Sequence, residues 1–161
     1  MMEQYLGTLT GTGKRIGIVV ADFNNLVTDR LLAGAVRELQ KYGVQDDALT
    51  VVHVPGAMEL PRAVQQVSDL AQVDGVIALG AVIRGETSHY DYVCQQTAAG
   101  IAEASLTGPV PVMFGVLTTD TLAQAVNRAG GKGGNKGAEC ATGVLQMIGL
   151  DDWLEQANTN N

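Results

Sequence analysis

The stretch Val76–Val93, "VIALGAVIRGETSHYDYV", decides how this chain is read. Its first part, Val76–Gly80, is an uncharged apolar run too short for a helix and suited to a strand buried on both faces. Arg84, Gly85, Glu86, Thr87, Ser88 and His89 then crowd into consecutive positions. Beyond them Val93, Thr97, Ile101 and Ala104 recur at helical spacing, which predicts a helix over about Ser88–Ser105. A strand that enters a helix through a polar turn is one βα unit of a parallel sheet.

The same unit recurs on either side. Arg15–Ala21 ("RIGIVVA"), Leu49–Val54 ("LTVVHV") and Val110–Gly115 ("VPVMFG") read as three more strands covered on both faces, with Pro111 suited to a first strand residue or a sheet edge. Val27, Leu31, Ala35 and Leu39 form one helical face that Gly43 ends. A second helix starts near Pro61 and turns Val64, Val67, Leu70 and Ala71 inward. Further helices are predicted over Leu122–Ala129 and from Ala138 to about Trp153. Residues 1–13 show partial alternation and read as an extended arm that pairs with a neighbouring subunit, while the polar residues 154–161 read as a frayed tail. The whole chain, 1–161, is expected to be a single domain.

Composition narrows the function. Hydrophobic residues are 46% and charged residues only 17%, a surface poor in charge that points to area buried between subunits. A net charge of −7 argues against a nucleic-acid partner. Cys94 and Cys140 lack any CxxC spacing, so reduced, buried thiols are expected rather than a disulfide framework or a metal site. The start of the chain has no apolar run after a basic one, and no segment approaches the roughly 20 apolar residues of a membrane span, so a cytoplasmic protein with no membrane partner is expected.

In an open parallel sheet, ligands bind beyond the carboxyl ends of the strands. The segments there are "DFNN" (Asp22–Asn25), "PGAMELP" (Pro55–Pro61), the turn from Arg84 to His89, and "VLTTD" (Val116–Asp120). Each supports two readings. Phe23 is either a plug for the core or a platform that stacks on a flat heterocycle. Gly56 and Ala57 make a tight turn or bring backbone amides to polyol hydroxyls, with Glu59 either a helix N-terminal charge or a ligand. Gly85, Glu86 and Thr87 are turn residues or an anion site at a helix N-terminus. His89 is an inert surface histidine or a proton carrier near neutral pH. Phe114 reads as core at a strand end that also permits stacking, and His53 as a packing or interface residue. Arg128, Lys132 and Lys136 surround the glycine-rich patch "AGGKGGNKG", Ala129–Gly137.

In order and spacing, "ADFNN", "VPGAMELP", "ALGAVIRGETSHYDYV", "FGVLTTDTLAQAVNRAG" and "GNKGAECA" resemble the lumazine synthase family of the riboflavin pathway over roughly Arg15–Leu150. The resemblance implies a flavodoxin-like three-layer sandwich, a four-stranded parallel sheet between helices, with the N-terminal arm as a strand added to a neighbour's sheet. It implies condensation of 5-amino-6-(D-ribitylamino)uracil with 3,4-dihydroxy-2-butanone 4-phosphate to 6,7-dimethyl-8-ribityllumazine, with release of phosphate and water. Neither metal nor organic cofactor is implied.

Roles follow position by position from the same resemblance. Phe23 would stack on the pyrimidine, and Ala57, Met58 and Glu59 would hold the ribityl chain. Val82 and Ile83 would line the ring pocket, Gly85, Glu86 and Thr87 would bind phosphate, and His89 would move protons. Phe114, Arg128 and Lys136 would come from the adjacent subunit, the two cations clamping the phosphate. Met58 replaces a frequent aromatic, and Glu86 a frequently small residue, so its side chain has to point to solvent or pair with a cation. Family members form pentamers or hollow icosahedral shells of twelve pentamers, and the patch before Asn135 lacks an insertion relative to the shell-forming pattern. Arg84 is left as a surface or interface charge.

Other readings are a catalytically silent flavodoxin-like flavin-binding domain and an inactive shell-forming protein. A receiver domain needs an Asp at the end of the third strand, where this chain has Gly80.

Overall fold

The computed structural model describes residues 1–159. Strands and helices alternate as β1 (Ile16–Ala21), α1 (Asn25–Lys41), β2 (Leu49–Val54), α2 (Leu60–Leu70), β3 (Gly75–Ile83), α3 (His89–Thr107), β4 (Val112–Thr119) and α4 (Leu122–Asn127). A small hairpin, β5 (Ala129–Gly131) and β6 (Gly134–Asn135), leads into α5 (Lys136–Thr159). The main sheet is parallel throughout, in the order β2-β1-β3-β4. Strand order reverses between β1 and β3, so the carboxyl ends of these two strands frame the crevice.

Period-two alternation sends side chains to two cores. Ile16, Ile18, Val20, Ile77, Leu79 and Leu117 face α1, α4 and α5. Val19, Ala21, Val76, Ala78, Val112 and Val116 face α2 and α3. The result is the predicted three-layer α/β sandwich, in which each fully buried Leu or Ile, such as Leu31, Leu39 or Ile77, contributes ~1.5–3 kcal/mol.

The differences from expectation have local causes. β3 runs on past Gly80 to Ile83 and β4 past Gly115 to Thr119, because the two strands stay paired as far as Ile83 with Thr119. Pro111 lies just before β4, and its carbonyl accepts from Val76 N at 2.9 Å, so the missing N–H costs the ladder nothing. β2 is an edge strand and half exposed rather than covered on both faces, with Val51 and His53 facing outward. His53 Nδ1 lies 2.7 Å from Asp22 Oδ1 on that outer face. Phe114 is not core: on the opposite edge strand it is 37% exposed.

Helix α5 does not stop near Trp153 but continues to Thr159, while Asn160 and Asn161 lie outside the described residues. The arm forms no strand within the single chain. It lies against α5, where Tyr5 donates its hydroxyl to Gln146 O at 2.7 Å and its ring sits 5.9 Å from that of Trp153. Lys14 and Asp152, paired at 2.7 Å, close the same contact.

The glycine-rich patch is ordered and has a mechanical task. Asn135 caps α5, its Oδ1 accepting from Ala138 N at 3.1 Å, while its Nδ2 donates to Arg30 O on α1 at 3.0 Å. Gly34 and Gly137 make this possible. A Cβ on Gly34 would collide with the Asn135 side chain, and one on Gly137 with the Leu31 carbonyl.

Candidate active site

Three strand ends build one cleft. β1 and β2 stay paired beyond their last residues: Asp22 N donates to Val54 O at 2.8 Å and Phe23 N to Pro55 O at 3.0 Å. Phe23 is thereby held at the crevice, 71% exposed and not plugged into the core. Asn24 follows in the left-handed region, φ 62° and ψ 44°, which Asn tolerates better than most residues. From that conformation its Nδ2 donates to Ala81 O at 2.8 Å, which ties the loop after β1 to β3.

After β2 the chain makes a single 3₁₀ turn, Ala57–Glu59, closed by Glu59 N donating to Gly56 O at 3.2 Å. Ala57 is buried, whereas Met58 and Glu59 are exposed. The Glu59 carboxylate curls back over the turn, since a Cβ on Gly56 would lie 3.2 Å from Glu59 Oε2. Backbone amides and a carboxylate therefore stand beside Phe23.

After β3, Arg84 N makes one more rung to Thr119 O at 2.9 Å, and then pairing ends. The amides of Gly85, Glu86 and Thr87 donate to no acceptor among the described residues. They lie at the N-terminus of α3, where N–H groups and the helix dipole favour an anion. The N-cap, Ser88, makes no side-chain cap, and Thr87 Oγ1 accepts weakly from His89 N at 3.4 Å, leaving its own proton free to donate. Open space surrounds the position where Gly85 would carry a Cβ.

Together these segments enclose a cleft of about 540 Å³. Phe23, Ala57, Met58, Glu59, Val82, Ile83, Gly85, Thr87 and His89 all line it. Glu86 does not: it is exposed and, among the described residues, in no ion pair, so its side chain turns outward. His89 is the first residue of α3 and lines the same cleft as Gly85 and Thr87.

Three sequence-predicted residues lie elsewhere. Arg128, the C-cap of α4, and Lys136, the first residue of α5, share a separate cavity of about 240 Å³ with Thr118, Thr119 and Glu139. Lys136 N donates to Arg128 O at 2.9 Å, so the β5–β6 hairpin brings the two backbones together. Lys136 Nζ is 3.3 Å from Glu139 Oε2. Phe114 stands on the outer edge of β4.

The sequence reading passed over three residues that shape the cleft. Asn24 bridges β1 and β3. Tyr90 lines the cleft, and partial burial raises its phenol above the usual pKa. Arg84 is no isolated charge: Nε donates to Asp120 Oδ1 at 3.0 Å, Nη1 to Asp91 Oδ1 at 3.4 Å, and the guanidinium lies 4.2 Å from the Tyr90 ring centre. Asn24 alone left a local signal, an Asn directly after a strand and before a helix, where a left-handed residue fits. Cys140 is buried, whereas Cys94 is half-buried rather than buried as expected; burial raises both thiols and pushes Cys140 up to about 11. Among the described residues, no helix is long and apolar enough to cross a membrane.

Comparison with known proteins agrees with this layout. The family described as 6,7-dimethyl-8-ribityllumazine synthase matches residues 13–152. A 6,7-dimethyl-8-ribityllumazine synthase of Levilactobacillus brevis is 58% identical over 155 residues, 96% of this chain and 99% of that protein. One of Pediococcus pentosaceus is 54% identical over 155 residues, with the same coverage. The matched residues contain every segment that forms the cleft, and the chain belongs to the 6,7-dimethyl-8-ribityllumazine synthase family.

Proposed function

We propose that this chain condenses 5-amino-6-(D-ribitylamino)uracil with 3,4-dihydroxy-2-butanone 4-phosphate, releasing phosphate and water and forming 6,7-dimethyl-8-ribityllumazine. One observation carries the reading: a single cleft sets an exposed aromatic ring and a carboxylate opposite free amides and a histidine. Phe23 stacks on the pyrimidine, with Val82 and Ile83 as the apolar wall. The turn Ala57–Glu59 receives the ribityl hydroxyls, Met58 contributing its backbone. The amides of Gly85, Glu86 and Thr87 and the Thr87 hydroxyl hold the phosphate.

With both substrates held, the uracil's amine attacks the ketone without a bimolecular encounter. His89, in the same cleft as the amides, takes and returns protons as the imine forms with loss of one water and as the phosphate leaves. Ring closure then expels a second water. These residues supply positioning and proton transfer.

Among the described residues, no Lys or Arg lines the cleft. We infer that a second copy supplies Arg128 and Lys136 to the phosphate, and Phe114 to the ring, in a cytoplasmic pentamer that further assembles into an icosahedral shell. The outward-facing β2 edge, the exposed Phe114 and the compact hairpin before Asn135 support this arrangement.

The test is to mix purified protein with both substrates and follow the green fluorescence of the product. A rate well above the spontaneous reaction is expected, and no acceleration would refute the proposal. Light scattering separates pentamer from shell.

A further inference from the structure

We propose that Arg84 is a positioning residue for the phosphate loop, aiming the amides of Gly85–Thr87 and masking the carboxylates of Asp91 and Asp120 beside them. The inference rests on the reaction assigned above. Arg84 is the last residue of the β3 ladder, bonded through its N–H to Thr119 O at 2.9 Å, and the free amides begin at the next residue. Its side chain then spans the two elements that flank the loop. Asp120, which begins the connection to α4, accepts from Nε at 3.0 Å. Asp91, in the first turn of α3, accepts from Nη1 at 3.4 Å. The guanidinium also stacks 4.2 Å from the Tyr90 ring centre, and Tyr90 lines the cleft.

Only a planar fork reaches two carboxylates and a ring face at once, a geometry that a lysine cannot reproduce. The charges give the arrangement a second purpose. Glu86, Asp91 and Asp120 lie on or beside the loop, and Arg84 is the one cation bonded to any of them among the described residues. Without it, a phosphate would approach uncompensated carboxylates. His89, in the same helical turn as Asp91, would feel the same field.

The experiment uses the assembled full-length protein and the variants Arg84→Gln, Arg84→Lys and Arg84→Gln with Asp120→Asn. Initial rates give KM for each substrate, inorganic phosphate serves as a competitive probe, and sedimentation reports assembly. Arg84→Gln is expected to raise both the KM for the butanone phosphate and the inhibition constant for inorganic phosphate about tenfold, as expected for unmasking a charge near a dianion. KM for the ribitylaminouracil stays within about twofold, because the polyol and ring contacts are elsewhere. Arg84→Lys falls between, and Asp120→Asn recovers part of the loss. Equal changes in both KM values, or no recovery from Asp120→Asn, would overturn the proposal. If Arg84→Gln fails to assemble, Arg84→Lys decides by the same ratio of KM values. A wild-type protein that binds inorganic phosphate, more weakly in Arg84→Gln, yet makes no lumazine would overturn the assigned reaction and uphold the role of Arg84.

Discussion

Replacing Asn24 separates the two things that this residue does. It occupies left-handed backbone at φ 62°, ψ 44° and donates from Nδ2 to Ala81 O at 2.8 Å. Asn24→Ala removes the donor, leaving a part-buried carbonyl without that partner at a cost of about 1–3 kcal/mol. It also forces alanine into the left-handed region, about 1–2 kcal/mol more. The sum is about 2–5 kcal/mol, which in a chain of this size lowers Tm by about 4–20 °C. Asn24→Gly loses the same hydrogen bond but adopts the backbone freely, so it should lie about 1 kcal/mol nearer to wild type. Thermal and urea unfolding of the two variants at one protein concentration measure that difference. Both should also raise KM for the ribitylaminouracil, since Phe23 is positioned by its neighbour. An Asn24→Ala protein as stable as wild type, or no less stable than Asn24→Gly, would refute the reasoning.

Three further outcomes follow from particular contacts. Gly85→Ala meets no atom within 4 Å and needs no special backbone, so Tm should stay within about 2 °C while the KM for the phosphate substrate rises; a matching loss of stability would contradict the open anion site. Gly137→Ala drives a methyl group into the Leu31 carbonyl and should cost about 1–3 kcal/mol by overpacking, visible in thermal melts. Cys140 is shifted from 9.0 to about 11. A raised pKa favours the protonated thiol in the folded state, so this contribution is complete below pH 9 and is lost as pH rises through 11, by roughly 3 kcal/mol. Cys140→Ala should show a shallower decline in unfolding free energy over that window than wild type.

Much of the architecture was legible because two periodicities are plain in the chain. Apolar runs such as "RIGIVVA" and the Val27, Leu31, Ala35, Leu39 stripe specify which segments are strands and which helical face is buried. Gly80 and Gly115 misled the strand boundaries, because glycine ends many strands but here sits inside a ladder that continues to Ile83 and Thr119. The end of α5 was missed because "QANT" carries no apolar period, although nothing in it breaks a helix. At the cleft, Phe23, Glu59 and His89 stood out by following strands, each with two readings, and their expected roles came from the family resemblance. Asn24 and Arg84 did not stand out, since each acts through a partner distant in sequence: Ala81 for the first, Asp120 for the second. Likewise "AGGKGGNKG" read only as a glycine-rich patch because the contact of Asn135 with Arg30 is made only in three dimensions.

The central claim is that the cleft of one copy works with the cations of another. It is tested most directly by co-assembling two impaired variants, His89→Ala and Arg128→Ala, in equal amounts after dissociation. Rates are read at a low concentration of the butanone phosphate. With random mixing in a cyclic assembly, about a quarter of the sites pair an intact His89 with a neighbour's intact Arg128. The co-assembled protein should therefore recover about a quarter of wild-type activity. Activity no greater than the average of the two variants measured separately would contradict a shared site.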